Sequence, residues 1–375
     1  MSDPGGHEVS DFEAAGLYDP AAAGADDRLA LLTWLDSFGF AIEDFVEADG
    51  RDALIALASD RRVLQGSPLP DAEAAAVSGL TIDELRTYAT AFGFTPMFAA
   101  EAGGMGLNRP EAEMLAVFGA LRSMFTEVEA LGFVRVVGSA LSRVAEAAMT
   151  LFLNDVETPH VAADGGELAL AKKSFDAVGL LDEFVPLLDT VLRRHLAQAT
   201  SRSRAALILD DRRFSRFAVG FIDLVGFTPV SQGLGPEELR TFIRDFEGLA
   251  HSAVTELGAR LVKLIGDEVM FVTPDANAAC AVAQALMVTF RAGRAEVQPR
   301  GGLAFGPVLL QGGDYYGEVV NLASRLADAA VPMELLVTVG LDEAASDVEF
   351  EPAGRRQLKG FTDPVSVRSL LFDEP

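Results

Sequence analysis

The chain has 375 residues, half of them apolar, and carries 30 basic against 56 acidic side chains for a formal net charge of −26. That length allows two domains with sizeable cores, and the acidic excess excludes a nucleic-acid partner or a general anionic-membrane surface, both of which need clustered Lys and Arg. The single cysteine, Cys280, excludes an intrachain disulfide; its apolar helical setting reads as a buried thiol in a reducing compartment. The opening residues are acidic (Asp3, Glu8, Asp11, Glu13, Asp19), without a basic-plus-apolar leader. The longest uncharged runs, 87–100 and 276–290, fall short of the roughly 18–20 residues a membrane span needs. A cytoplasmic protein with no membrane span is expected.

Residues 1–25, acidic and rich in Gly, Pro and Ala, read as a mobile tail. The stretch 26–200 has helical periodicity almost throughout: helices are predicted over 26–38, 41–58, 81–92, 110–132, 138–153 and 175–198. Thr81 and Glu84 form a T-x-x-E capping box, and Pro110 sits in a first turn. A charge-rich linker, 201–216, follows. From 217 to 375 the period changes. Residues 217–225 are a near-continuous apolar run, hence a buried strand, and 236–257 place Leu239, Phe242, Ile243, Phe246, Ala250 and Val254 on one helical stripe. Two strands, 260–265 and 269–273, flank a Gly266-Asp267 turn. A helix over 276–290, two strands around Gly306 (301–305 and 308–311), and a helix from about Glu318 complete the run. The order βαββαβ predicts an α+β, ferredoxin-like sheet with helices on one face, preceded by an all-α domain.

Four clusters in the second half carry chemistry. Asp223 ends the buried strand of FIDLVGFT, and Asp267 sits at the hairpin of LVKLIGDEVMF behind Lys263. Each Asp alone reads equally well as a turn residue. Together, two neighbouring strand ends with carboxylates call for cations, and Mg²⁺ or Mn²⁺ takes one or two carboxylates plus phosphates and water. Two such ions suit in-line displacement at phosphorus. In GGDYYGEVVNLASRLADAA, Asn321 and Arg325 are four apart and share a helix face, with Asp314 on the turn leading in; an exposed helix surface is the bland alternative. In RRQLKGFTDPV, Lys359 precedes a Gly turn, where a solvated loop lysine is the ordinary reading.

FIDLVGFT, KLIGD, GLAFGPV and DYYGEVVNLASR, in that order, resemble the catalytic domain of class III adenylyl/guanylyl cyclases over about 217–370. The resemblance implies that Asp223 and Asp267 bind two divalent cations, Mg²⁺ or Mn²⁺, and that Lys263 and Asp314 select the purine. It implies that Asn321 and Arg325 orient the ribose and stabilise charge on the α-phosphate, and that Phe227 and Thr228 lie in a triphosphate-facing turn. A second phosphate-contacting lysine is expected near the last strands; Lys359 falls about two residues early, with Phe361 in the expected place. A Lys donor beside an Asp acceptor matches N1 and N6 of adenine, so ATP is favoured over GTP. The family splits these residues between two subunits, which implies a homodimer making cyclic AMP and pyrophosphate. A catalytically silent nucleotide-binding sensor dimer is the competing reading; it requires loss of one of these residues, and none is missing.

The first half resembles the helical regulatory domain of soluble mycobacterial-type, pH-responsive adenylyl cyclases, through LAVFGALRSMFTEVEALGFVRVVGSALSRVAEAAM and GLLDEFVPLLDTVLRRHLAQATSRSR. That implies dimer contacts in both domains and autoregulation. His195, beside Arg193 and Arg194, is the candidate pH-responsive group; an exposed helix histidine without a role is the alternative. The Phe- and Met-rich stretch 92–133 reads as helical core, or as a pocket for an apolar ligand such as a fatty acid. SGLTIDELRTYATAFGF looks like the front of a helix-turn-helix, but the first 200 residues carry 13 basic and 32 acidic side chains, net −19, which argues against DNA.

Overall fold

The change of periodicity after residue 200 marks two different ways of burying apolar surface. The computed structural model describes residues 6–94, 106–121, 124–163, 165–206, 214–291 and 297–372, and divides into two units, Met1–Leu192 and Arg193–Pro375.

The first unit is helical: α1 (Val9–Ala14), α2 (Ala25–Asp36), α3 (Ile42–Asp49), α4 (Leu57–Leu64), α5 (Asp71–Ser78), α6 (Ile82–Phe92), α7 (Arg109–Leu121), α8 (Glu127–Phe152), α9 (Thr158–Ala162), α10 (Glu167–Gly179) and the start of α11 (Leu181–Ala205). The predicted capping box of α6 is present: Thr81 Oγ1 accepts from Glu84 N–H at 3.3 Å, and Glu84 accepts from Thr81 N–H at 2.8 Å. The helices predicted over 41–58 and 175–198 are each broken. Asp52 takes positive φ between α3 and α4, and α10 ends at Gly179 just before α11. The one predicted over 110–132 is two helices, because Thr126 caps a new start at α8 by accepting from Glu129 N–H.

The expected mobile tail, 1–25, is not one over its described residues. It carries α1, and Phe12 and Leu17 are buried in a core with Leu31, Leu32, Leu35 and Phe45. His7 anchors it further, its Nδ1 lying 2.6 Å from Asp36 while its N–H donates to the same carboxylate. Composition alone hid two apolar residues that turn inward, Phe12 within the short helix and Leu17 just beyond its end. The expected linker 201–216 is likewise helical as far as Ala205 and strand from Phe214; its middle, 207–213, lies outside the described residues.

The helical run Glu127–Ala162 contains an 18-residue window of mean hydropathy 1.4, only 6% of it buried. By length and composition this run could cross a membrane, contrary to the sequence expectation. Counting uncharged residues missed it, because Arg135, Arg143 and Glu146 interrupt the run. Within this unit a cavity of about 500 Å³ is lined by Phe92, Phe94, Met114 and Leu141, with Asn108 and Glu111 at its polar side. Of the Phe- and Met-rich stretch, 95–105 and 122–123 lie outside the described residues.

The second unit contains β1 (Phe214–Val225), α12 (Phe227–Gly233), α13 (Pro236–Glu256), β2 (Arg260–Ile265), β3 (Glu268–Thr273), α14 (Ala276–Arg291), β4 (Gln298–Gln311), β5 (Asp314–Tyr316), α15 (Glu318–Ala329), β6 (Leu335–Thr338), α16 (Val339–Asp342), β7 (Phe350–Arg356) and β8 (Val365–Leu370). The strand order β2-β3-β1-β4 is the ferredoxin-like arrangement expected from βαββαβ, extended by β6-β8-β7, with β5 turned back on β4. The two strands predicted around Gly306 are one: β1 pairs with β4 continuously from Phe214↔Leu309 to Val225↔Gln298. Pro307 is tolerated because the other edge of β4 has no ladder there, β6 pairing only Gly301–Leu303 and β5 only Leu309–Gln311.

The helices do not all lie on one face. α13 and α14 bury Phe246, Val254, Cys280 and Leu286 against Ile222, Leu224 and Phe271. α15 packs Ala323 and Ala327 on the opposite face, with Phe217, Val219, Phe221 and Met270. Gly302 permits this approach. A Cβ there would stand 2.3 Å from both Ala323 O and Ala327 N, backbone atoms that cannot step aside. Cys280 is fully buried and its thiol is pushed up to about 12, by desolvation first, so it is inert as expected.

Gly302→Ala should therefore lower stability by about 1–3 kcal/mol. Gly248→Ala, exposed inside α13 with nothing within 4 Å of the added carbon, should stabilise by about 0.5–1 kcal/mol. Opposite shifts of the unfolding midpoint in denaturant check both.

Candidate active site

Asp223 stands where three strands meet in register. It is opposite Glu268 on β3 and Arg300 on β4, all three half-buried. Arg300 donates from Nε and Nη2 to Asp223 Oδ2 at 2.9 and 2.7 Å, and from Nη1 to the carbonyls of Asp328 and Ala330 at 2.8 and 3.3 Å. One guanidinium thus ties the end of β1 to the C-terminal carbonyls of α15, where a cation also suits the helix dipole. Both bonds to Asp223 use one oxygen, leaving Oδ1 without a hydrogen bond among the described residues.

Asp267, half-buried in the β2–β3 turn, is held above the ordinary carboxylate range, by desolvation first and then by the Asp223 charge. Glu268 is pushed to about 7, by desolvation first and then by Asp223, Asp328 and Asp267, with Arg300 opposing. Carboxylates that raise one another's protonation have more negative charge than their surroundings neutralise. Among the described residues there is no cluster of three or more His, Cys, Asp or Glu arranged to hold a metal ion. Asp223 with Asp267 therefore fits ions whose remaining ligands are phosphate and water, not an all-protein cage.

Lys263 Nζ and Asp314 Oδ2 lie 2.5 Å apart, the lysine on β2 and the aspartate at the start of β5. Asp314 also accepts from Tyr315 N–H at 2.8 Å. Burial works against its ionisation, but the Lys263 hydrogen bond, the Tyr315 N–H and the Lys263 and Arg260 charges together hold it below the usual carboxylate range. On α15, Asn321 is exposed and Arg325 donates to Asp328 at 2.7 Å. No hydrogen bond or ion pair among the described residues joins Asp223 or Asp267 directly to Lys263, Asp314, Asn321 or Arg325. Asp328 touches both sides, through its carbonyl to Arg300 and its carboxylate to Arg325.

The remaining candidates separate. Phe227 opens α12 with its ring 5.3 Å from that of Phe242, a core contact, and Thr228 is exposed beside it. Lys359 is exposed in the β7–β8 turn, whereas Phe361 packs on the cluster around Leu326 and Val367. His195 is exposed on α11. Sequence reasoning missed Arg300 and Glu268. Glu268 lies within LVKLIGDEVMF and Arg300 two residues before GLAFGPV, but what makes them functional candidates is cross-strand register with Asp223, which no single motif displays.

A raised carboxylate binds its proton more tightly in the folded than in the unfolded state. Its contribution to stability is complete below about 4.5 and is lost as pH rises through about 7. In chelator-treated protein, Glu268→Gln should flatten the fall in melting temperature between pH 5 and 7.5; a slope equal to wild type would contradict this.

Residues 209–368 match the adenylate and guanylate cyclase catalytic domain. Over 365 residues the chain is 35% identical to an uncharacterised protein of Mycobacterium tuberculosis, covering 97% of this chain and 94% of that one. It is 31% identical to an adenylate cyclase of Streptomyces coelicolor (75% and 72% covered), and 30% identical to a pH-sensitive adenylate cyclase of M. tuberculosis (62% and 61%). The solved adenylyl cyclase CyaB of P. aeruginosa aligns at 25% identity over 43% of this chain and 96% of that one, with a TM-score of 0.38. The chain belongs to the class III adenylyl/guanylyl cyclase family, with a nucleotidyl cyclase catalytic domain behind an all-helical region.

Proposed function

We propose that the protein is an adenylyl cyclase, converting ATP to 3′,5′-cyclic AMP and pyrophosphate as a homodimer. The observation that carries the choice of base is the Lys263–Asp314 pair. A donor and an acceptor held side by side match N1 and N6 of adenine, whereas guanine offers the reverse pattern and leaves both groups unpaired. Asp223 and Asp267 would hold two divalent cations, Mg²⁺ or Mn²⁺, which when bound would supply charge neutralisation on the phosphates. Asn321 orients the ribose so that its 3′-hydroxyl faces the α-phosphorus. Arg325 stabilises the charge that develops there, and the turn at Phe227 and Thr228 lies along the triphosphate. Positioning and electrostatics do most of this work, without a dedicated general base. Arg300 neutralises Asp223 between substrates. Lys359 is the exposed cation of the β7–β8 turn and the candidate for the outer phosphates.

The metal aspartates and the residues for base and ribose are separate groups within one chain, which supports a site completed by a second copy. Apolar side chains left exposed on the long helices support the same reading. Leu181, Val185, Leu192 and Leu196 on α11 are 43–66% exposed at the 4-7-4 spacing of a helix-pairing seam. Phe133, Leu141, Met149 and Leu151 on α8 are 49–63% exposed. Association of such faces accounts for the apolar run Glu127–Ala162 without a bilayer. The helical unit then regulates the catalytic pair. The inputs proposed are an apolar ligand such as a fatty acid, for which the cavity beside Phe92 and Met114 speaks, and pH, for which the likeness to a pH-sensitive adenylate cyclase speaks.

Purified protein with Mn²⁺ or Mg²⁺ should yield cyclic AMP from ATP in preference to cyclic GMP from GTP; no product from either, in a verified dimer, leaves the silent sensor. Asp223→Ala should lower kcat/KM at least about 100-fold. Mixing Asp223→Ala with Asn321→Ala, each inactive alone, should restore activity if each site draws on two chains. Continued inactivity of a verified heterodimer would refute the shared site.

A further inference from the structure

Strand β2 carries two basic residues three apart, Arg260 and Lys263, which strict alternation would point to opposite faces of the sheet. They share one face because the ladder slips by a residue between them. Arg260 pairs with Val272 and Leu261 with Phe271, but Lys263, not Val262, comes opposite Met270. An extra residue of this kind re-aims the side chains beyond it. Val262, Met270 and Val272 accordingly pack in the cluster that contains Tyr315, and Leu261 and Leu264 against the cluster on the other face. Lys263 meets Asp314, and Arg260 meets the residues on either side of that aspartate. Its Nη2 donates to Gly313 O at 2.9 Å, its Nη1 to the Tyr315 hydroxyl at 3.3 Å, and its guanidinium lies 5.5 Å from the Tyr315 ring centroid. Tyr315 is itself fixed, 3% exposed and edge-on to Phe217 at 5.3 Å.

The turn that Arg260 grips joins β4 to β5 through Gly312 and Gly313, both left-handed at φ 59° and 78°, and glycines bring no side chain to anchor it. β2 pairs with β3 and β5 with β4, so side chains, not a ladder, set β2 against β5. We propose that Arg260 is a positioning residue for the purine-reading pair, clamping the Gly312-Gly313 turn to β2 so that Asp314 stands within reach of both Lys263 and the base. The inference rests on the reading of Lys263 and Asp314 as the base-selecting pair. A planar guanidinium can hold a backbone carbonyl and a phenol in fixed directions at once, which a lysine, a single point charge on a flexible stem, cannot. With Gly313 and Tyr315 both held, and the Tyr315 N–H on Asp314 Oδ1, the carboxylate keeps its place when Lys263 turns to a base.

The consequence is a split in kinetic effects. Loss of the clamp misplaces Asp314 against the base while leaving Asp223, Asp267, Asn321 and Arg325 untouched, so affinity and base choice suffer and turnover does not. In the full chain, Arg260→Ala should raise KM for ATP about five- to tenfold, narrow the preference for ATP over GTP, and leave kcat within about twofold; Arg260→Lys should recover part of the loss. The Kd of 3′-deoxy-ATP with Mn²⁺, an analogue that cannot cyclise, should rise by the same factor. Asp314→Asn should itself weaken the analogue, and adding Arg260→Ala to it should cost nothing further, because the clamp acts through that carboxylate. Unchanged Kd in an Arg260→Ala protein with a wild-type unfolding midpoint overturns the proposal, as does a loss confined to kcat or a second full loss in the Asp314→Asn background. Should Arg260→Ala lower the midpoint, Arg260→Gln, which keeps the stem without the fork, is read in its place. An Asp314→Asn protein that binds the analogue as wild type does refutes the base-selecting reading and the proposal with it. If wild type binds the analogue but turns over neither nucleotide, the cyclase reading fails and the Kd series still decides on Arg260; a wild type that does not bind it refutes both.

Discussion

Crowding of negative charge at the end of β1 is the constraint around which the catalytic unit is arranged. Register puts Asp223 across from Glu268, the hairpin adds Asp267, and Asp328 comes in from the end of α15. Arg300 is the cation set among them, and its four hydrogen bonds serve three purposes at once: neutralising Asp223, engaging the last carbonyls of α15, and fastening that helix to β4. Even with this internal cation in place, Glu268 and Asp267 stay raised above their ordinary range, the mark of a residual excess of negative charge.

That arrangement relies on the sheet having a helix close on the face opposite α13 and α14. Gly302 allows α15 to lie nearly backbone to backbone on β4, and this sets the height at which Asn321, Arg325 and Asp328 stand relative to the strand ends. A bulkier residue there would change the spacing of the catalytic face as well as the stability of the unit. The two faces have different tasks: one buries a conventional core around Leu286 and Phe271, the other trades part of its core for chemistry.

Much of the catalytic unit was legible in the chain. The period-2 and period-3.6 stretches and the βαββαβ order placed the strands and helix on or beside which Asp223, Asp267, Lys263, Asp314, Asn321 and Arg325 stand; the roles of these six belong to the proposed function. Register was not legible, because it depends on which residue of a distant strand comes opposite; hence Arg300 and Glu268 went unread. Gly306-Pro307 looked like a strand break because their cost depends on whether the neighbouring edge is paired. In the helical unit, an acidic Gly- and Ala-rich opening concealed Phe12 and Leu17, whose burial depends on α1 packing onto α2. Breaks inside long apolar runs were missed where caps such as Thr126 outweigh continuous periodicity.

Lys263 and Asp314 are paired with each other, and on the proposed reading this alters what selecting a base means. An incoming purine does not meet two open valences. It enters into competition with a contact the protein already makes to itself, and only a base able to satisfy both partners simultaneously recoups what is broken. Guanine, with the reverse pattern, would forfeit the internal contact and pair with neither group. On that reading fidelity comes from exchange: the two groups satisfy each other, and the cost of parting them is the threshold that every nucleotide must clear.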